Sequence, residues 1–152
     1  MFDIQEIMQN VPHRYPFLLI DRVLEFTKDQ SVTVLKNVTM NEAQFQGHFP
    51  DRPVFPGVYL IENMAQAACF LLAKSAGGVD EKMVYYLGRV NKIAFRKPVV
   101  PGDQLITEIK VEKLIGANAL VNAETKVDGK TVAKGDLMFA AAPAEQSKTT
   151  VE

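Results

Sequence analysis

Residues 47–66 read Gly-His-Phe-Pro-Asp-Arg-Pro-Val-Phe-Pro-Gly-Val-Tyr-Leu-Ile-Glu-Asn-Met-Ala-Gln, a stiff loop running straight into an apolar helix. Pro50, Pro53 and Pro56 each fix one backbone dihedral and remove one amide donor, which keeps residues 49–56 out of any helix. Gly57 then begins a helix expected to run through Ala76 and to stop at Gly77-Gly78. Across residues 58–73 the clearly polar side chains are Glu62, Asn63 and Gln66. A helix apolar nearly all round is either buried in a core or spans a membrane. This one falls short of the roughly 20 residues that a bilayer needs, so it reads as a core helix. It carries a carboxylate about one turn in, and such a group is costly to desolvate unless it is paired, neutralised or used.

The rest of the chain supplies what covers that helix. Phe2, Ile4, Ile7 and Met8 mark a short amphipathic turn or helix, stopped by Pro12-His13-Arg14-Tyr15-Pro16. Residues 17–26 and 31–39 read as strands; in the second, Val32, Val34 and Val38 share a face on which Lys36 is the exception. Residues 82–87 and 89–96 are strand candidates that read as one strand bent at Gly88. After the turn at residues 97–103, residues 105–113, 119–127 and 130–140 alternate as strands, the last two joined at Asp128-Gly129. Residues 141–152 lack periodicity and read as a disordered tail behind a single domain of residues 1–140. The architecture expected is α+β, an antiparallel sheet curled around the helix at about 57–76. One sheet covers only one side of that helix, so a second subunit is expected to close the other, with a dimer as the functional unit.

Composition narrows the function. The chain has 152 residues, a net charge of −1 and 23% charged residues, which excludes a generally basic nucleic-acid binder. Cys69 is the lone cysteine and reads as a small core hydrophobe. It supports neither a disulfide framework nor, with two histidines 35 residues apart, a zinc site. The N-terminus lacks a basic-then-apolar signal pattern, and a cytoplasmic enzyme or binding protein is the expectation.

The chemistry concentrates in the opening stretch. His48 can exchange a proton near neutral pH. Burial of Glu62 would raise its pKa from about 4.3 toward neutrality and make it a general acid. Gln66 lies at i+4 from Glu62, where its amide can orient the carboxyl. Gly57 offers an unbonded amide at a helix start to an oxygen gaining negative charge. Base, acid and oxyanion donor are what proton removal beside a carbonyl and expulsion of a leaving group require. His13, set between prolines, reads as a structural residue near the mouth of the site.

The order Gly47-His48-Phe49-Pro50-x-x-Pro53-x-x-Pro56-Gly57-Val58, then Glu62-x-x-Ala65-Gln66, resembles the bacterial (3R)-hydroxyacyl-acyl-carrier-protein dehydratases of the FabZ type. Residues 12–21 and 95–103 and the closing hairpin resemble that family too, so that the likeness covers roughly residues 4–140. It implies the hot-dog fold, and reversible dehydration of a (3R)-hydroxyacyl chain, held as a thioester on acyl carrier protein, to the trans-2-enoyl product. The implied pathway is type II fatty acid biosynthesis, with a bearing on lipid A precursors. His48 would be the base at C2 and Glu62 of the partner subunit the acid at the 3-hydroxyl. The Gly57 amide would polarise the thioester carbonyl, and the Val54 carbonyl would accept the other ring N–H of His48. By the same resemblance Tyr86 gates an acyl tunnel and Phe49, Phe95 and Pro98 line it; residues 87–92 are one longer than the family form, which leaves Tyr85 as the other gate candidate. Val54, Phe55, Phe70, Leu71 and Phe95 can supply apolar tunnel walls. No metal or other cofactor is implied, and the partners implied are the phosphopantetheine-bearing carrier and further copies of this chain, as a trimer of dimers.

Lys92, Arg96 and Lys97, near Arg89, are candidates for docking an acidic carrier. The sister dehydratase that also isomerises its product carries Asp at the acid position, so Glu62 favours the simple dehydratase. A hot-dog thioesterase and a non-catalytic acyl-binding module are the remaining alternatives. Neither needs a histidine fourteen residues before the acid.

Overall fold

A computed structural model describes residues 1–78 and 83–143. Helix α1 (Ile4–Asn10) is started by Asp3, whose side chain accepts from the amides of Gln5 and Glu6 while Glu6 reaches back to the Asp3 amide. Strands β1 (Arg22–Thr27) and β2 (Ser31–Asn37) follow, then α2 (Gly57–Ser75), β3 (Met83–Phe95), β4 (Gln104–Ile115), β5 (Asn118–Val127) and β6 (Lys130–Pro143). Among the described residues the strands form one antiparallel sheet in the order β1-β2-β4-β5-β6-β3.

Helix α2 lies across the inner face of this sheet, against β2, β4 and β5. The period-two alternation of the strands supplies that face: Val32 and Val34, Leu105 and Ile109, Val121 and Ala123, Leu137 and Phe139 all point inward and are buried. Met64, Ala67, Ala68, Phe70 and Leu71 of α2 meet them in one continuous core. The expected helix over 57–76 is therefore present, one residue shorter by its regular bonding, with Gly77 and Gly78 at φ 102° and 122° ending it.

Two expectations change, for the strand over 17–26 and the tail from 141, and two hold with added detail. The strand expected over 17–26 is confined to Arg22–Thr27. Residues 17–19 spend their backbone groups on α2 instead: the Leu19 amide donates to Gln66 Oε1 (2.8 Å), the Leu19 carbonyl accepts from Asn63 (2.7 Å) and the Phe17 carbonyl from Gln66 Nε2 (2.6 Å). Lys36, the exception on β2, does point inward and is only 5% exposed. Its ammonium is neutralised by Glu42 at 2.8 Å and donates to the Asn37 carbonyl. The two strand candidates after the helix are one strand, with register shifts at Leu87/Arg89, flanking Gly88, and again between Asn91 and Ala94; Lys82 lies outside the described residues. Lastly, β6 continues to Pro143, because Met83, Val84 and Tyr85 of β3 pair with Pro143, Ala142 and Ala141. The expected tail from 141 thus loses its first three residues to the sheet, and the remainder of it lies outside the described residues.

The β5–β6 turn places Asp128 and Gly129 at φ 49° and 75°, as a tight right-twisting hairpin requires. Gly135 of β6 lets β3 come close: an added Cβ would lie 2.3 Å from Ile93 Cδ1 and 2.9 Å from its Cα. Because that second atom is backbone, Gly135→Ala is expected to destabilise the chain by about 1–3 kcal/mol. A urea unfolding midpoint equal to the wild type's would contradict this packing.

Candidate active site

The loop that carries His48 leaves a 3-10 turn, Ala43–Gln46, and is pinned at both ends. The His48 amide donates to the Gln44 carbonyl (3.0 Å), and the Val54 amide donates to the His48 carbonyl (3.0 Å). His48 Nδ1 lies 2.6 Å from the Val54 carbonyl oxygen. A carbonyl can only accept, so Nδ1 carries the hydrogen and Nε2 keeps a free lone pair. The arrangement drawn from resemblance for His48 and Val54 is thus geometrically in place. The Phe49 ring, expected along an acyl tunnel, stacks on the imidazole, centroids 4.1 Å apart, and lines neither of the cavities described below.

Glu62 sits in the second turn of α2 with its side chain 22% exposed, half-buried rather than sealed in the core of this chain. Gln66 holds it, as the i+4 spacing predicts. The Leu19 amide needs an acceptor and the Phe17 carbonyl needs a donor, which fixes the orientation of the Gln66 amide. Gln66 Nε2 therefore donates to Glu62 Oε1 (2.9 Å). His13 Nε2 approaches the same oxygen to 3.3 Å. Burial holds the His13 imidazole below its ordinary pKa, against the pull of the Glu62 carboxylate and with a further push from Arg14.

Two cavities flank this machinery. The first, of about 500 Å³, contains Glu62 and His13 at one part of its wall, with Ala65, Cys69 and Ala73 of α2 facing residues 83–87 of β3. Tyr85 and Tyr86, the two gate candidates, both line it. Cys69 belongs to this wall rather than to the core, and its thiol is pushed up to about 11 by burial first and by the Glu62 charge second. The second cavity, of about 380 Å³, is lined by Val54, Phe55, Gly57, Phe95, Pro98 and Lys97, among others. Gly57 packs closely there: a Cβ would come within 3.2 Å of the Phe95 ring, which would have to shift by a few tenths of an ångström. Phe70 and Leu71, expected as tunnel walls, are fully buried in the core and line neither cavity. Lys92, Arg96 and Lys97 are exposed, with Arg96 and Lys97 on the rim of the second cavity and Lys92 at φ 52° in the β3 irregularity.

Glu62 lines the first cavity, and His48 lines neither, although its partner Val54 lines the second. Helical geometry explains the separation: five residues at 3.6 per turn place Glu62 about 140° round the axis from Gly57. Val54 and Gly57 therefore go with the His48 loop on one side, and Glu62 with His13 on the other. His13, read from its proline-bounded run as a structural residue near the mouth of the site, meets Glu62 directly, a contact the sequence did not indicate, and Asn10 lines the same cavity without having been singled out. Among the described residues no group of three His, Cys, Asp or Glu could hold a metal ion. No described helix is long and apolar enough to cross a membrane.

A family model described as a FabA-like domain matches residues 11–136. The chain belongs to the FabA-like family. Over 138 residues it is 49% identical to the 3-hydroxyacyl-[acyl-carrier-protein] dehydratase FabZ of Aliivibrio fischeri, covering 91% of this chain and 92% of that one. The FabZ of Erwinia tasmaniensis is 46% identical over 137 residues, with 90% and 91% covered. Among solved structures, a chain of the dehydratase heterocomplex ApeI:P from Xenorhabdus doucetiae matches with a TM-score of 0.80 at 18% identity, covering 93% of both chains. A hot-dog-like protein from Thermanaerovibrio acidaminovorans matches at 0.64 and 16% identity, with 81% of this chain and 88% of that one covered. The fold is the hot-dog fold.

The His13 environment makes the stability of this FabA-like chain pH-dependent in a definite sense. Folded His13 takes up its proton at a lower pH than unfolded His13, whose value is about 6.5. Between the two values the unfolded chain binds the extra proton, so this contribution is complete above about pH 6.5 and is lost as pH falls. Urea unfolding from pH 7.5 to 5 should therefore show a steeper loss of stability in the wild type than in His13→Gln; equal slopes would contradict it.

Proposed function

We propose that this FabA-like chain catalyses the reversible dehydration of a (3R)-hydroxyacyl chain, carried as a thioester on acyl carrier protein, to the trans-2-enoyl thioester in fatty acid biosynthesis. The observation that carries the reading is the His48–Val54 bond, which turns the Nδ1 hydrogen to the Val54 carbonyl and leaves the Nε2 lone pair to act as a base. High identity to FabZ relatives along nearly the whole chain supports the substrate class. In this reading His48 Nε2 removes the C2 proton, and the charge that moves onto the thioester oxygen is met by the Gly57 amide at the helix N-terminus. Glu62 gives its proton to the 3-hydroxyl, which leaves as water. No metal or organic cofactor enters these steps.

The split between the cavities supports an assignment of His48 and Glu62 of one site to two subunits. β3 is one of the two edge strands of the described sheet, with Tyr86, Leu87 and Val90 exposed along it, and we assign the dimer contact to this edge. Assembly as a trimer of dimers in the cytoplasm, and service to both phospholipid and lipid A synthesis, complete the reading. Tyr86, or its neighbour Tyr85, gates the acyl chain entering the first cavity, and Phe95 and Pro98 line the approach through the second. Lys92, Arg96 and Lys97 receive the acidic carrier.

His48→Ala and Glu62→Gln should each lower kcat by about 10²- to 10⁴-fold, read as enoyl absorbance with free thiol release as the thioesterase control. Co-expression of the two variants should restore part of the activity, because a mixed dimer keeps one site with both groups intact. Wild-type turnover in either variant sinks the catalytic assignment, and absence of complementation sinks the shared site. For docking, Lys97→Glu should lower kcat/KM on carrier-linked substrate at low salt, with the deficit shrinking as salt is raised. An unchanged rate at low salt would remove Lys97 from the docking surface.

A further inference from the structure

Glu62 is held by more than Gln66. Both close contacts to its carboxyl, from Gln66 Nε2 at 2.9 Å and His13 Nε2 at 3.3 Å, fall on Oε1. A carboxylic acid has one oxygen that accepts and one that carries the proton. Crowding donors onto Oε1 therefore leaves Oε2 as the proton-bearing oxygen.

The tautomer of His13 can be read from its other nitrogen. Nδ1 is buried and has no hydrogen-bond partner among the described residues. A buried N–H without an acceptor is a costly orphan, whereas a bare lone pair costs less. Placing the hydrogen on Nε2 avoids that orphan and turns an N–H, rather than a second lone pair, toward the carboxyl. Asn10, 4% exposed and on the wall of the same cavity, also keeps Oδ1 unpartnered while its amide nitrogen donates to the Glu6 carbonyl.

We propose that His13 is a positioning residue for the acid: as the neutral Nε2–H tautomer it shares Glu62 Oε1 with Gln66 and so presents the proton of Oε2 to the leaving hydroxyl. The proposal rests on the reading of Glu62 as the general acid. It also gives the site a sense of pH. An imidazolium at His13 would hold Glu62 as the carboxylate, which has no proton to give. Among the described residues, the other ionisable groups about His13 are Arg14 on its own loop, whose guanidinium is committed to the carbonyls of Met8, Val11 and His13, Cys69 on α2, and Tyr85 and Tyr86 across the cavity on β3.

Two variants separate positioning from packing. His13→Phe keeps an aromatic ring and removes the donor; His13→Gln keeps a donor at nearly the Nε2 position and removes the titration. His13→Phe should lower kcat roughly 10- to 100-fold, the range expected when an acid is left loosely placed, with KM within about threefold of wild type. His13→Gln should recover a good part of that loss and flatten the acid limb of the kcat profile between pH 5 and 7. Equal impairment of both variants, or wild-type kcat in His13→Phe, overturns the proposal. If neither variant folds, nitrogen chemical shifts of the labelled wild-type imidazole decide it: the Nε2–H tautomer at pH 7.5 upholds it, and Nδ1–H or imidazolium overturns it. Wild-type enzyme with no turnover, or Glu62→Gln with full turnover, would instead remove the dehydratase reading, which is a separate outcome.

Discussion

The structure depends on the buried side-chain amides of α2. An apolar helix carrying Asn63 and Gln66 is stable only if each amide finds partners, because an unmatched buried amide costs more than a matched one returns. Both are fully buried and both are matched. Gln66 takes the Leu19 amide and the Phe17 carbonyl, and Asn63 takes the Leu19 carbonyl and the Thr107 hydroxyl. The Thr107 proton is committed to Asn63, so the 2.8 Å contact with Thr125 must be a donation from Thr125. A polar thread thus runs from the segment before β1, through the helix, into β4 and β5. It fixes the rotation of α2 about its axis, and with it the direction in which Glu62 points.

That rotation is what separates the chemistry. Gly57 and Glu62 are on one rigid rod, so their mutual angle is set by helical geometry and cannot be adjusted by loop movement. The His48 loop adds its own constraint, since Val54 both receives the imidazole hydrogen and donates its amide back to His48. Each half of the candidate site is therefore held by its own internal bonds, which suits the proposed dehydration, a reaction that relies on placed donors and acceptors more than on induced closure.

Much of this was legible in the sequence because it rests on local chemistry. The three prolines and the apolar run after Gly57 fixed the loop and the helix, Asp128-Gly129 fixed the hairpin, and the spacing of Glu62 and Gln66 fixed their contact. What escaped depends on partners distant along the chain. The run Phe17–Leu18–Leu19–Ile20 has the composition of a strand, and only the demand of Gln66 and Asn63 for backbone groups keeps it out of the sheet. Residues 141–143 have no pattern of their own and become strand because β3 offers them a ladder. Cys69 has the composition of a core residue, but the neighbouring small side chains Ala65 and Ala73 leave a cavity beside it. The prolines around His13 place it near the mouth of the site, but nothing local names Glu62, 49 positions later, as its partner.

The ion pair beneath β2 carries a consequence for how this chain can change over generations. Lys36 and Glu42 are both largely shielded from water, and Glu42 also secures the Thr39 amide and the Gln44 side chain just ahead of the His48 loop. Losing either partner strands the other as a buried ion, whereas replacing both with well-packed apolar groups can be nearly neutral. The shortest route between those two acceptable sequences passes through a poorly stable intermediate. Such a pair behaves as a single inherited character written in two codons, kept or abandoned as a unit.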